Sequence, residues 1–132
     1  PDAIVKYLTI GNRAVQISSR QGYSRCSVCV VNDNAIITAD EGICRSAEAR
    51  GVDVLKIRPG YIDLPGFDYG FIGGASFKIS DTKLAFTGRL DSHPDAERIT
   101  EFASLHNIDI VYITDKRAFD IGGAIPIAEI SK

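Results

Sequence analysis

The sequence has no methionine and no tryptophan, and only two histidines and three cysteines in 132 residues. So few cysteines, odd in number, exclude a disulfide-stapled scaffold and favour a reducing, cytoplasmic setting over secretion. Cys26 and Cys29 spell CxxC, but no second such pair and no histidine pair completes a four-ligand metal site. On a strand the two would point to opposite faces, so they read as small packing residues, and neither a metal nor a cofactor is expected. Long apolar runs are also missing: Val28–Val31 and Ala35–Ile37 are far too short to span a bilayer, and the opening PDAIVKYLTI carries no signal peptide. Charge is mixed and nets −2, which excludes a nucleic-acid face or a membrane surface as the evident partner. Without methionine, Pro1 either follows a removed initiator or stands inside a longer protein.

What the chain does have is glycine in pairs and self-similarity. IGGA occurs at 72–75 and again at 121–124, 49 residues apart. At the same offset ITAD (37–40) falls on FTGR (86–89). The stretches 26–37 and 75–86 each read as two short apolar runs around a polar turn, the signature of a hairpin. A helical stretch follows each: 41–50, closed by Gly51, and 94–106, closed by Asn107. GVDVLKI (51–57) then matches NIDIVYI (107–113), both read as buried strands, at an offset of 56 to 57 that a longer second helix would explain. The reading is α/β with repeated ββαβ units: 1–22 the tail of a preceding unit, 23–71 and 72–120 two full units, and 121–132 the start of a further one. The glycine pairs mark the lead-in to each unit's first strand, where close backbone approach needs glycine. A phosphate loop is disfavoured, because GFIGGAS matches neither phosphate-binding pattern and leads into a strand.

A ββαβ unit repeated about an axis resembles the pentein, or α/β-propeller, fold of guanidine-modifying enzymes and ribosome anti-association factors. QGYSRCSVCVVNDNAIITADEGI, PGYIDLPGFDYGFIGGASFKI and FTGRLDSHPDAERITEF are similar to an uncharacterised bacterial family assigned to that fold, over roughly residues 20–128. The resemblance implies a propeller that is incomplete in this chain, closed either by a missing N-terminal segment or by homo-oligomers covering open strand edges. It also implies a polar axial pocket. The enzymes of the fold use a late cysteine, a histidine and acids on a guanidinium. Here no cysteine follows Cys44, and IGGA is followed by Ser76 or Ile125 rather than an acid.

Several residues are candidates for chemistry. In LDSHPDAE (90–97), Ser92 with Asp95 reads as a capping box and Pro94 as first-turn proline, which leaves His93 at a loop where sites are built. His106, ending the same helix, reads as a dipole cap. Asp40 and Arg89 fall on equivalent positions, as do Asp63 and Asp120; Asp40 and Arg89 of opposite sign would form an inter-unit ion pair, or line the axis. Asp68 and Tyr69 sit in the unrepeated connector LPGFDYGF (64–71), a reasonable lip for a pocket. Cys44, early in the first helix, is either a buried inert thiol or a nucleophile with its pKa lowered by the helix end. Whether the chain is an enzyme stays open. The first reading is a small guanidino or amino-acid-like ligand held by Asp40, Asp63, Asp68, Arg89, His93 and Asp120 through bidentate hydrogen bonds. The alternatives are a non-catalytic protein-interaction module and a cysteine-dependent hydrolase using Cys44 with His93.

Overall fold

The computed structural model describes residues 4–11, 13–19 and 27–121. Among these the chain is mixed α/β. A hairpin of β1 (Ile4–Ile10) and β2 (Arg13–Ser19) precedes two ββαβ units. The first holds β3 (Val28–Asn32), β4 (Ala35–Thr38), α1 (Glu41–Ala49) and β5 (Asp53–Lys56). The second holds β6 (Ser76–Ser80), β7 (Lys83–Phe86), α2 (Ala96–Leu105) and β8 (Asp109–Tyr112). In each, an antiparallel hairpin is joined through the helix to a third strand that pairs parallel with the hairpin's second strand.

The repeat holds at the level of single hydrogen bonds. Each hairpin turn is closed by a side chain, Asn32 Oδ1 accepting from Asn34 N–H at 2.7 Å and Ser80 Oγ from Thr82 N–H at 3.2 Å. Each hairpin carries one bulge, between Val30 and Asn32 and between Lys78 and Ser80. Each helix ends in a Schellman motif: Gly51 (φ 82°) and Val52 donate to Glu48 and Ala47, while Asn107 (φ 61°) and Ile108 donate to Ser104 and Ala103. Asparagine tolerates the left-handed conformation that glycine adopts freely, so the sequence signals at 51 and 107 are equivalent.

Three expectations change. First, the hairpins superpose with Val28 on Ser76 and Thr38 on Phe86, one residue off the offset that the IGGA spacing sets. Asp40 therefore answers Gly88, not Arg89. Second, the helices are nearly equal, with 9 and 10 residues. The extra length of the second unit lies ahead of its helix, in the loop 87–95, where the first unit has only residues 39–40. Third, β5 and β8 are sheet-edge strands, half-buried with an exposed first residue, rather than buried throughout. The fully buried strand of the first unit is β4, central in its sheet, and its two faces feed two cores.

Ala35 and Ile37 join the larger core with Leu84, Phe86, Ile99 and Phe102 of the second unit. Ile36 joins Ile10, Ile43, Ala47 and Val52 beneath α1. The larger core thus spans both units, as expected of repeats that cannot bury their faces alone. Polar ties reinforce it: Lys78 Nζ donates to Val31 O at 2.8 Å, and His106 Nε2 reaches Asp53 Oδ2 at 2.7 Å while Asn32 Nδ2 lies 3.4 Å from His106 Nδ1. His106 is thus a strut between units and not only a helix cap.

The first IGGA forms a 3-10 turn, Ile72–Ala75, leading into β6. Gly74 is needed because the Asp120 carboxylate fills the space that a side chain would take. Asp120 is buried there, accepting from Phe71 N–H at 2.9 Å, and Ile121 N–H donates to Gly74 O at 2.8 Å. A phosphate has no room where a carboxylate already sits. Of the second IGGA, residues 122–124 lie outside the described residues. Gly74→Ala is expected to lower stability by about 2–4 kcal/mol through this collision. In an Asp120→Ala background the same change should cost markedly less, and equal costs in the two backgrounds, measured by urea denaturation, would dismiss the collision as the cause.

Candidate functional site

Between the units lies a cleft with a cavity volume of about 120 Å³. The link between β4 and α1 gives Ala39 and Asp40, the segment after β5 gives Ile57, Arg58 and Ile62, the connector gives Tyr69, the 3-10 turn gives Ile72, and the loop before α2 gives His93. Its floor is apolar and its polar groups are few and converge, which is the ordinary make-up of a small-molecule site.

His93 is the side chain that packing alone leaves unexplained. It is 4 % exposed. Asp95 N–H donates to its Nδ1 at 3.0 Å, so the ring proton sits on Nε2. That Nε2 is buried and has no hydrogen-bond partner. Burial lowers the His93 pKa, opposed by the Asp95 carboxylate and by the Arg58 backbone, which approaches the ring without making a well-formed bond to Nε2. The Arg58 charge pushes the same way as burial. An unmade bond of this kind costs about 1–3 kcal/mol, so it marks a place where a partner is wanted.

Asp95 holds the arrangement. It is 1 % exposed, and its Oδ2 accepts from Arg58 N–H at 2.8 Å and its Oδ1 from Arg98 Nη1 at 3.1 Å. Burial alone would raise its pKa, but the Arg58 N–H and Arg98 bonds with the two guanidinium charges leave it below the usual carboxylate value. The capping box expected of Ser92 and Asp95 is absent. Asp95 is the N-cap of α2 by position, yet its side chain makes no cap bond and turns to the other unit.

Tyr61 flanks the site. Its ring centroid lies 5.3 Å from that of His93, and its backbone is held at φ 68°, directly after Gly60 at φ 96°. A bulky residue in that region is uncommon and strained. Tyr69, half-exposed, packs over Gly60.

Of the six expected ligand residues, Asp40 and His93 line the cleft, and Asp40 also caps α1 by accepting from Ile43 N–H at 2.8 Å. The other four do not line it. Asp63 is paired outward with Arg117 at 3.4 Å. Asp68 is exposed beside Tyr69. Arg89 pairs with Asp91 at 3.2 Å and lies 4.6 Å over the Tyr112 ring, so no Asp40–Arg89 ion pair forms. Asp120 serves the glycine turn. They part because residues 117–119 pair with both Asp63 and Arg89, turning those side chains outward from the strip rather than toward the cleft. Cys44 lies on the buried face of α1, with its pKa raised by burial and by Glu48 and Glu41, and does not line the cleft. Cys29 is pushed up to about 12 by burial, and Cys26 lies outside the described residues. Arg58, Tyr61 and Asp95 were not expected from sequence. Only the pairing of Gly60 with an aromatic in PGYID hinted at them.

The chain belongs to a family of unknown function, DUF6873, which matches residues 2–125. No curated protein and no solved structure matches it. Among the described residues no cluster of histidine, cysteine and acidic side chains is placed to hold a metal ion, and no helix is long and apolar enough to cross a membrane.

The lowered His93 pKa has a sign. The unfolded chain takes up a proton near pH 6.5 that the folded chain refuses, so stability is full above that value and falls as pH drops through it. The slope from this one group cannot exceed about 1.4 kcal/mol per pH unit. Urea midpoints measured from pH 7.5 to 5 should fall in the wild type and flatten in His93→Gln. An unchanged slope in the variant would show that His93 is not the group responsible. Asp95 adds a separate loss only below the ordinary carboxylate range, as pH falls through its lowered value.

Proposed function

We propose that this chain binds a small amino-acid-like or guanidino ligand in the cleft between its two ββαβ units. The observation that carries the reading is the unpartnered, buried Nε2–H of His93 in the wall of a cleft that also presents Asp40 and Arg58. Charges of both signs above an apolar floor suit a ligand with an acid and a cationic group joined by a short aliphatic chain. The repeated ββαβ unit, with a core shared between units, supports the finer reading of the fold as pentein-like. In that reading the cleft is the site of an incomplete propeller, and the edges of the second unit are where closure by another segment or subunit would occur.

The hydrolase alternative finds no support in the geometry, since Cys44 and His93 are not brought to one cleft. The interaction-module alternative draws on a few exposed apolar side chains, Phe67 and Leu105 foremost. They do not explain an orphaned donor.

Isothermal titration of the wild-type chain with L-arginine, L-ornithine, agmatine and 4-guanidinobutyrate tests the proposal. At least one is expected to bind, with affinity reduced tenfold or more in Asp40→Asn and in His93→Gln. Heat-silent titrations across the whole set, or binding indifferent to both substitutions, would remove it.

A further inference from the structure

Taking the cleft as a ligand site, we propose that the Arg58 guanidinium and the His93 Nε2–H together form a carboxylate pole, with His93 serving as a neutral hydrogen-bond donor rather than as a base. The first argument is the tautomer. The Nδ1 lone pair is taken by the Asp95 N–H, a backbone donor at the N-cap of α2. The ring can then offer only Nε2–H. To accept a proton it would have to give up the Nδ1 bond.

The second argument concerns Arg58. Its backbone is fixed by Asp95, but its guanidinium has no hydrogen-bond or ion-pair partner among the described residues, although its charge acts on both His93 and Asp95. The Asp95 carboxylate, which could neutralise it, is already engaged, Oδ2 with Arg58's own N–H and Oδ1 with Arg98. A spare guanidinium beside an orphaned N–H is complementary to an acceptor of negative charge with two oxygens. Arginine meets a carboxylate through two parallel bonds, and a neutral imidazole adds a third.

The third argument is the cover. Nε2 has no solvent contact in this state, and Tyr61 packs on the ring from a strained left-handed position. The groups that face His93 are Asp95 on its own turn, and Arg58 and Tyr61 from the segment after β5. None of them presents an oxygen to Nε2 in good geometry, so the ligand's carboxylate is the missing acceptor, reached as Tyr61 moves aside. Asp40, of opposite charge, takes the cationic end.

The test compares acid with amide in the intact chain. L-arginine should bind at least tenfold tighter than L-argininamide in the wild type. In Arg58→Gln that preference should shrink below threefold, while Asp40→Asn should weaken both ligands alike. In ¹⁵N-histidine-labelled wild-type protein, His93 should show an unprotonated Nδ1 and a protonated Nε2, and L-arginine should shift the Nε2 resonance. Equal binding of acid and amide in the wild type, with both weakened by Asp40→Asn, overturns the carboxylate pole and leaves the cleft standing. A protonated Nδ1 overturns the donor role. Failure of both ligands to bind the wild type removes the pole, and the cleft reading falls with it only when the wider ligand set is silent too.

Discussion

One buried carboxylate, Asp95, sets the relation of the two units and the state of the site. Desolvating an aspartate costs several kcal/mol unless its oxygens are fully engaged. Here Arg58 N–H and Arg98 engage both oxygens, the first from the preceding unit and the second from the helix that Asp95 opens. The same residue's N–H fixes the His93 ring. Three relations therefore share one residue: where the first unit ends against the second and how α2 is tied at its start, through the carboxylate, and which nitrogen of His93 carries the proton, through the backbone N–H.

The larger core explains why that geometry persists. Ile37 and Cys29 of the first unit and Phe86, Ile99 and Phe102 of the second belong to one cluster, so separating the units would expose apolar surface worth about 1.5–3 kcal/mol for each large side chain. Apolar packing supplies affinity between units. The directional groups Asp95, His106 and Lys78 select the register in which that packing occurs, since each bonds defined atoms across the boundary.

Much of the fold was legible because repetition is a strong signal. Turn residues at 32–34 and 80–82, left-handed residues at 51 and 107, and paired apolar strands recur in order, and each recurrence reinforces the others. The one-residue register error has a physical source. IGGA was matched to IGGA as sequence, but the first is a 3-10 turn answering to the uniqueness of Asp120, so it does not set the hairpin register. The site was legible only in part. His93 stands out because a cap motif leaves it unexplained, and Asp40 because the repeat sets it opposite Arg89. Arg58 and Tyr61 did not, because their roles come from a backbone N–H and from a positive φ, neither of which residue type announces. Asp95 reads in the sequence as the partner of Ser92 in a capping box, whereas the bond that matters runs to Arg58, 37 residues away.

The cleft forms where the repeat is broken. The first unit passes from strand to helix through Ala39 and Asp40 alone, whereas the second inserts residues 87–95, and the link from β5 to the next unit carries residues 57–71. His93 comes from the insertion, and Arg58, Tyr61 and Tyr69 from the link. Symmetric elements supply the floor and the rigidity, through Ala39 and the strands whose ends it continues. The position equivalent to Asp40 in the second unit is Gly88, which has no side chain to offer. The asymmetric insertion is what brings a histidine to that wall, and the strained backbone of Tyr61 and the unpartnered Nε2 of His93 lie together beside it.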